Sequence, residues 1–478
     1  MTLATGLLGD ERWFTSRGTG RPAIRPDLIF ILADDLGWAD LGCFGSNEIN
    51  TPNLDRLAGE GVRFTHAYSA SPTCSPTRIG LYTGRYPGRL AAGLEEPMRT
   101  RAEFNGIPHD HPTLPKLLVD AGYSTAMFGK WHCGWLPWYS PIRAGFERFY
   151  GCLDGAIDYF EHIGTLGERD LWEGETEIDD TGYFTEMITR EACAHIAAAG
   201  DEPLYLQLNY TAPHWPWEGP GDAHVGARIR DEYTQQESPD SYPLLDLHSG
   251  SLAKYGEMVE AMDAGIGDVI DAVDARGRPD DTLIVFSSDN GGERWANMWP
   301  FVGEKGDLTE GGIRVPGLIR WPSAIDGGQA CDRPNITMDW TATMLDAAGA
   351  QHDPGYPLDG VSLLPYLVDG APFPNHDLYW RTRSQLAVRR GRMKYLHDRR
   401  LRPQKLGQWP LVDGDYHLLY DVAVDGRERA DIAVHHPDQV NELRSAAERF
   451  EAEMLPYPPE PGQPHQATDT DPAVGHVD

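Results

Sequence analysis

Short apolar segments alternate with segments of helical hydrophobic period along most of the chain. Buried strands are predicted at 27–33 (DLIFILA), 124–128, 204–209 and 282–287. Helices are predicted near 112–121, 183–198, 251–275 and 337–348, and a short helix is predicted after Thr51 and Pro52. This alternation predicts an α/β fold with a large mixed, mostly parallel sheet sandwiched by helices.

The pattern changes after about residue 375. Hairpin-like pieces (LAVRRGRMKYLHD and HLLYDVAVD) are followed by an amphipathic helix over 437–454, and the chain then becomes rich in proline and polar residues. We therefore predict a smaller C-terminal α+β subdomain with an antiparallel sheet. The predicted units are a large N-terminal domain (1–374), this subdomain (375–456) and a proline-rich tail (457–478).

Composition and charge narrow the class of protein. With 478 residues, 40% hydrophobic and 24% charged, the chain resembles an ordinary soluble globular protein. Its formal net charge of -32 argues against a general binder of nucleic acid or of an anionic membrane surface, because both partners require a basic face. No apolar stretch reaches the length of about eighteen residues that a membrane span needs. This acidic surface would barely affect a small anionic ester that reaches a locally positive pocket, because salt screens distant charges.

Two further features concern the cellular compartment. The first 27 residues lack a basic segment followed by a long apolar one, which predicts a leader that is not cleaved. The six cysteines are scattered without CxxC pairs, which favours free thiols in a reducing compartment. Both observations predict a cytoplasmic location.

Polar pairs follow two of the predicted strands at their carboxyl ends. Asp34 and Asp35 directly follow the first strand, and Asp289 and Asn290 follow the segment TLIVFSS. Open α/β sheets bind ligands beyond the carboxyl ends of their strands. Oxygen ligands of this kind suit a hard divalent cation, so the two pairs predict one site for Ca²⁺ or Mg²⁺.

A third element lies at residues 74–85. It reads Cys74-Ser-Pro-Thr-Arg78 and continues into Leu-Tyr-Thr-Gly-Arg85. A cysteine before a proline is by itself usually a small buried apolar residue. The combination, however, resembles the signature of the type I sulfatase family, C-x-P-x-R followed by T-G, in which the cysteine is oxidised to formylglycine. Every specified position of that signature is present.

The resemblance extends from Asp27 to about Ile432. The segment at 129–134 (GKWHCG) is similar to the family's GKWHxG element, and 212–216 (APHWP) is similar to its APHxP element. The segments at 303–306 (GEKG) and 310–316 (EGGIRVP) resemble its lysine-bearing segment and the motif that follows. The resemblance implies an alkaline phosphatase-like fold and a sulfuric ester hydrolase.

The resemblance also implies the residues of the site. The expected catalytic residues are Cys74, Arg78, Lys130, His132, His214 and Lys305. The expected metal ligands are Asp34, Asp35, Cys74, Asp289 and Asn290. The expected cofactors are one divalent cation, with Ca²⁺ favoured over Mg²⁺, and the formylglycine (3-oxoalanine) made from Cys74.

In the implied mechanism, a hydroxyl of the hydrated aldehyde attacks sulfur, and the cation lowers the pKa of that hydroxyl. Lys305 and His214 lie by analogy on the sulfate and leaving-group side, where an acid would protonate the departing oxygen. His132 assists the collapse that releases sulfate, while Arg78 largely holds the nucleophile loop and the metal-site geometry. A formylglycine-generating enzyme is the implied partner during maturation.

The sequence leaves the substrate and two rival functions open. Aromatic residues flank the motifs and predict either packing or a wall for an aryl ring, a sugar face or a quaternary ammonium ion; they are Trp131, Trp135, Trp138, Tyr139, Trp215, Trp217, Trp295 and Trp299. A small-molecule sulfate ester is the expected substrate, and the oligomeric state is open. The rivals are a phosphonate monoester or phosphodiester hydrolase of the same superfamily, and a catalytically silent binding protein.

Overall fold

The computed structural model describes residues 14–16, 18, 20, 22, 24–235, 243–244, 250–399 and 415–458. Most of the predicted leader and the predicted tail from 459 onward lie outside the described residues. Within the described ranges, the search for a helix that is both long and apolar enough to cross a membrane finds none.

A large mixed sheet forms the centre of the molecule. Its strands are β1 (Asp27–Ala33), β2 (Val62–Tyr68), β3 (Ser124–Lys130), β4 (Arg148–Cys152), β5 (Trp172–Glu173), β6 (Thr176–Glu177), β7 (Leu204–Asn209), β8 (Thr282–Ser288), β9 (Arg314–Arg320), β10 (Gln329–Cys331) and β11 (Asn335–Ile336). They lie in the order β10-β2-β9-β8-β1-β7-β3-β4-β5-β6, with β11 beside β2. The central strands β8, β1, β7 and β3 are parallel neighbours, whereas β9 is antiparallel to β8 and β2. The predicted fold class is confirmed.

Helices cover both faces of this sheet. The helices of the described residues are α1 (Pro52–Glu60), α2 (Cys74–Thr83), α3 (Leu114–Asp120), α4 (Phe184–Ala198), α5 (Ala223–Thr234), α6 (Leu252–Ala275), α7 (Glu310–Ile313), α8 (Thr337–Ala348), α9 (Leu364–Leu367) and α10 (Pro437–Glu453), of which α10 packs on the C-terminal sheet instead. Alternate residues of β1 belong to two different hydrophobic clusters, one on each face of the sheet. All seven residues of β1 are buried. Burial on both faces explains why the strand is a continuous apolar run rather than an alternating one.

The C-terminal sheet is separate and antiparallel. It contains β12 (Leu378–Arg381), β13 (Gln385–Arg390), β14 (Met393–Asp398) and β15 (Tyr416–Asp421) in that order. Helix α10 packs on the sheet through Leu443, Ala447 and Phe450, which join the hydrophobic cluster of this region. The antiparallel sheet and the helix agree with the predicted subdomain, while the bounds of the three units stay predictions.

A buried ionic network joins the two sheets. The Glu310 carboxylate accepts hydrogen bonds from Tyr68 Oη at 2.6 Å, Arg314 Nη1 at 3.1 Å and Lys394 Nζ at 3.0 Å. Lys394 Nζ also lies 2.9 Å from Glu428 Oε1. Burial raises the pKa of Glu310, but Lys394 and then Arg314 outweigh it, and the pKa is lowered overall. The EGGIRVP segment therefore connects the catalytic sheet to the C-terminal sheet.

The Glu310→Ala variant is expected to destabilise the fold by about 3 kcal/mol, because it leaves buried cationic groups with fewer partners. The matched control is Glu257→Ala, which removes an exposed partner of Lys254 on α6 and should cost less than about 1 kcal/mol. Calorimetric melting temperatures measure both effects. Equal melting temperatures for the two variants would contradict a stabilising role for the network.

Candidate active site

The metal-ligand candidates lie at the ends of two neighbouring strands. Strands β1 and β8 are parallel and paired through Ala33 and Ser288, so the residues that follow them emerge side by side. The Asp35 backbone N–H donates to Asp289 Oδ1 at 3.3 Å, and Asn290 Nδ2 donates to Asp35 Oδ1 at 2.6 Å. Asp35 has a left-handed backbone with φ of 62°, which is uncommon for a residue other than glycine. The predicted proximity of the two pairs is present in the fold.

Cys74 begins helix α2 and faces this cluster. It is 1% exposed, and its sulfur and carboxylate oxygens of Asp34 and Asp289 all lie within 4.8 Å of one another. Burial raises the pKa of the Cys74 thiol, against the opposing effect of Lys130. The thiol stands in the place that a formylglycine side chain would take. A helix N-terminus favours developing negative charge at that place.

Arg78 holds Asp289 in position from one turn further along α2. Its Nε and Nη2 donate to Asp289 Oδ2 at 3.0 and 2.8 Å, and its Nη1 donates to the carbonyl of Lys130 at 2.9 Å. Its Nη2 also lies 3.4 Å from Asp34 Oδ2. The guanidinium is fully buried. Its planar donors therefore fix the nucleophile helix, a carboxylate and the end of β3 relative to one another.

Two lysines pair with the remaining carboxylates. Lys130 Nζ donates to Asp34 Oδ2 at 2.5 Å, and Lys305 Nζ donates to Asp35 Oδ2 at 2.6 Å. Burial lowers the pKa of each ammonium, but the neighbouring carboxylates outweigh it, so the pKa of each lysine is raised overall. Both lysines therefore stay charged.

His214 lies beside the second aspartate. Its Nε2 is 3.6 Å from Asp35 Oδ2, and its Nδ1 is 2.6 Å from the carbonyl oxygen of Trp215. Burial, followed by the charge of Lys305, lowers the pKa of His214 to about 3. The ring is held by its backbone contact, with Nε2 directed toward the charged centre.

His132 lies on the other side of the site, after β3. Its Nε2 is 2.8 Å from the carbonyl oxygen of Met98, while Nδ1 is buried without a hydrogen-bond partner. Burial, followed by the charge of Lys130, lowers the pKa of His132 well below its usual value. A Cβ at Gly155 would come within 2.6 Å of this ring. Glycine at 155 therefore permits the close approach that positions the imidazole.

The oxygen atoms of the site fit a divalent cation. Asp34 Oδ1 and Asn290 Oδ1 are buried and have no hydrogen-bond partner. Leaving a buried carboxylate or amide oxygen unpaired is costly, and a hard cation bound by oxygen ligands would satisfy both. Together with Asp35 and Asp289, these atoms would hold the ion and would supply a Lewis acid beside residue 74.

All the residues predicted from the motifs converge in this one site. The sequence argument missed Glu293, whose Oε2 lies 3.7 Å from Lys305 Nζ and accepts a hydrogen bond from Trp215 Nε1 at 3.2 Å. Glu293 could have been predicted from its position in the sequence, because only Gly291 and Gly292 separate it from Asn290. Glu293 is thus a further polar group beside the lysine.

The predicted aromatic wall divides into two groups. Trp131, Trp135 and Trp217 are buried and belong to hydrophobic cores, so packing explains them. Trp217 and Trp295 meet edge to face with ring centroids 6.3 Å apart, and the Arg294 guanidinium lies 5.6 and 5.2 Å from their centroids. This aromatic pair follows the His214 and Asn290 segments in the chain.

Comparison with known proteins agrees with this geometry. The family model described as Sulfatase matches residues 26–350, which include every predicted site residue. The chain belongs to the sulfatase family. Sulfatases are sulfuric ester hydrolases, and a hydrolytic role follows from membership.

The curated relatives of this sulfatase are named after different substrates. It is 32% identical to mouse arylsulfatase J over 91% of this chain and 77% of the relative. It is 31% identical to human N-acetylgalactosamine-6-sulfatase over 77% of this chain and 71% of the relative. It is 30% identical to human steryl-sulfatase over 76% of this chain and 73% of the relative. These names cover sugar and steroid sulfates.

Solved structures show the same fold. The crystal structure of Ps i-CgsB aligns with a TM-score of 0.76 at 29% identity, covering 90% of this sulfatase and 94% of that chain. The same protein in complex with k-i-k-neocarrahexaose aligns with a TM-score of 0.75 at 30% identity. The alkaline phosphatase-like fold expected from the motifs is confirmed.

Proposed function

We propose that this sulfatase hydrolyses a small sulfate monoester of aryl or sugar type, with formylglycine derived from Cys74 as nucleophile and a single divalent cation. The observation that carries the proposal is the position of Cys74. Its side chain is buried at a helix N-terminus, with its sulfur close to Asp34 and Asp289. A cysteine with this raised thiol pKa is a poor nucleophile as a thiol, whereas a hydrated aldehyde carries a hydroxyl at the same place.

Charge balance supports an anionic substrate. Three carboxylates (Asp34, Asp35 and Asp289) contact three cationic side chains (Arg78, Lys130 and Lys305). These charges cancel, so a bound divalent cation would give the centre a net positive charge. The positive centre would attract a sulfate ester through the field of an otherwise strongly acidic protein.

The roles of the residues follow from their positions. Asp34, Asp35, Asp289 and Asn290 would hold the cation, proposed to be Ca²⁺, which would supply Lewis-acid stabilisation beside residue 74. Lys305 supplies a fixed positive charge for the sulfate oxygens. The negative charge of a bound ester would favour protonation of the adjacent His214, whose Nε2 would then donate a proton to the leaving oxygen. His132, on the opposite side, takes a proton when sulfate is released. Arg78 positions the nucleophile helix and Asp289 through its hydrogen bonds.

Two observations favour a sulfate ester over a phosphate ester. The two groups of candidate metal ligands at the centre share Asp34, so the described residues favour one cation there. A sulfate monoester carries less charge than a phosphate monoester and needs less compensation. Trp295, which is only partly buried, offers a flat surface on which a sugar or an aryl ring could stack.

The direct test is mass spectrometry of the tryptic peptide Phe64 to Arg78, which contains Cys74. In active protein produced with a formylglycine-generating enzyme, we expect the mass deficit of the aldehyde and reaction with a hydrazide probe. An unmodified Cys74 in active protein would overturn the proposed nucleophile. It would leave the family membership intact and favour direct metal-assisted hydrolysis.

The His214→Gln variant is expected to lose more activity toward sugar sulfates than toward an aryl sulfate with a good leaving group. General acid catalysis contributes about 10²- to 10⁴-fold, and a phenolate leaving group needs little of it. The kcat values for a hexose sulfate and for 4-nitrophenyl sulfate measure the difference. His224→Gln, an exposed change on α5, is the control. An equal loss on both substrates would show that His214 is not the acid.

A further inference from the structure

A second group of metal-ligating side chains lies in the C-terminal sheet, remote in sequence from the catalytic motifs. His397 of β14 and His417 of β15 are direct cross-strand partners, and Asp415 directly precedes β15. Their candidate ligand atoms all lie within 4.8 Å of one another. In the part of the chain that the structure describes, the other such groups all contain Asp34 of the catalytic centre.

Both imidazoles face the same carboxylate. His397 Nε2 contacts Asp415 Oδ1, and His417 Nε2 lies 3.7 Å from Asp415 Oδ2. The two rings are stacked, with centroids 4.4 Å apart and an interplanar angle of 21°. The two nitrogen atoms and the carboxylate therefore converge on one small volume at the edge of the sheet.

A buried tyrosine orients one of these rings. Tyr395 is 1% exposed, and its Oη lies 2.5 Å from His417 Nδ1. Histidines that bind metals usually donate their other ring N–H to an oxygen atom, which fixes the tautomer and the ring orientation. With Nδ1–H donated to Tyr395, the His417 Nε2 lone pair points toward Asp415.

Two arginines of the described residues near the cluster are already paired. Arg444 of α10 donates to Glu448 at 2.7 Å, and Arg399 donates to both carboxylate oxygens of Glu451 at 2.8 and 2.9 Å. Each of these two guanidinium groups is thus balanced by a carboxylate of α10. Repulsion of a cation by these arginines is correspondingly reduced.

We propose that His397, His417 and Asp415 form a second metal site that binds Zn²⁺ independently of the catalytic centre. Two imidazole nitrogens and one carboxylate oxygen are a ligand set suited to Zn²⁺, whereas Ca²⁺ and Mg²⁺ prefer oxygen ligands throughout. Asp415 is 69% exposed on its side chain, so a water molecule can complete the coordination. The ion would tie the edge strand β15 to β14 and stabilise the C-terminal sheet.

The experiment is a calorimetric titration of the full-length protein with zinc chloride in excess Ca²⁺, which keeps the catalytic centre occupied. We expect one Zn²⁺ to bind and the melting temperature to rise. His417→Gln should weaken binding by more than about 100-fold, and Tyr395→Phe by about 10-fold or more, because loss of an outer partner alone has that effect. Asp289→Asn should leave Zn²⁺ binding unchanged, and so should His435→Gln in the same subdomain.

Several outcomes would overturn the site. They are the absence of Zn²⁺ binding to the wild type, unchanged binding in both His417→Gln and Tyr395→Phe, or loss of binding in Asp289→Asn. X-ray absorption of the zinc-loaded wild type decides the case if a variant fails to fold. A shell of nitrogen and oxygen atoms is expected, whereas sulfur scattering would place the ion on a cysteine and refute the proposal.

Discussion

The Cys74→Ser variant is expected to cleave about one equivalent of sulfate ester per enzyme and then to stop. A serine hydroxyl at the start of α2 can attack sulfur once. The resulting serine sulfate has no second hydroxyl on the same carbon, so it cannot release sulfate by forming a carbonyl group. Steady-state kcat should fall by at least about 10³-fold, the scale of loss seen when a covalent nucleophile is removed.

Stopped-flow release of 4-nitrophenol measures the burst, and the intact mass of the protein reports the bound sulfo group. Cys331→Ser is the matched control, because Cys331 is also buried and unpaired but lies in β10. It should turn over normally. Multiple turnovers by Cys74→Ser would contradict the formylglycine mechanism.

The Asp289→Asn variant is expected to lose the catalytic cation and about 10³-fold in activity. Metal stabilisation of developing charge is worth several kcal/mol, and about 1.4 kcal/mol corresponds to a factor of ten. The substitution keeps the shape of the side chain, but it removes the charge that Arg78 and the ion share. In the wild type, EDTA should abolish activity and lower the melting temperature, and added Ca²⁺ should restore both.

The pH dependence of Ca²⁺ binding provides a second measurement. Burial, followed by the charge of Asp34, raises the pKa of Asp289 above its usual value. A proton therefore competes with the cation at a pH where an ordinary carboxyl group is ionised, and affinity should fall as the pH falls. Asp263→Asn is the control variant and should leave Ca²⁺ binding unchanged. Asp263 is also buried, but its carboxylate accepts hydrogen bonds from the start of α1. Activity that survives complete removal of metal would refute a cation in the mechanism.

The strands of the large sheet that the sequence predicted most closely are continuous apolar runs. Strands β1, β7 and β8 are continuous apolar runs and were located within a residue of their bounds. Strands β2 and β9 were missed, because β2 (VRFTHAY) is interrupted by polar residues and β9 (RVPGLIR) contains both proline and glycine. Nor could hydrophobic period reveal that β9 runs antiparallel, since direction depends on long-range pairing.

The motifs predicted which residues come together in the fold but not the contacts between them. The ion pair of Lys130 with Asp34 and the left-handed backbone at Asp35 and His132 depend on tertiary packing. A local pattern carries no information about either. The cytoplasmic location and the identity of the ion stay predictions.

The burial of Cys74 constrains when this residue can be modified relative to folding. A side chain that is 1% exposed at the start of a wholly buried helix is out of reach of any modifying enzyme once the domain has folded. If formylglycine is made from Cys74, oxidation must occur while this segment is still extended, during or soon after synthesis. Modification and folding then compete in time, and a chain that folds first is permanently inactive. In that case, the yield of active enzyme in an overproducing cell depends on the relative rates of modification and folding rather than on the stability of the protein.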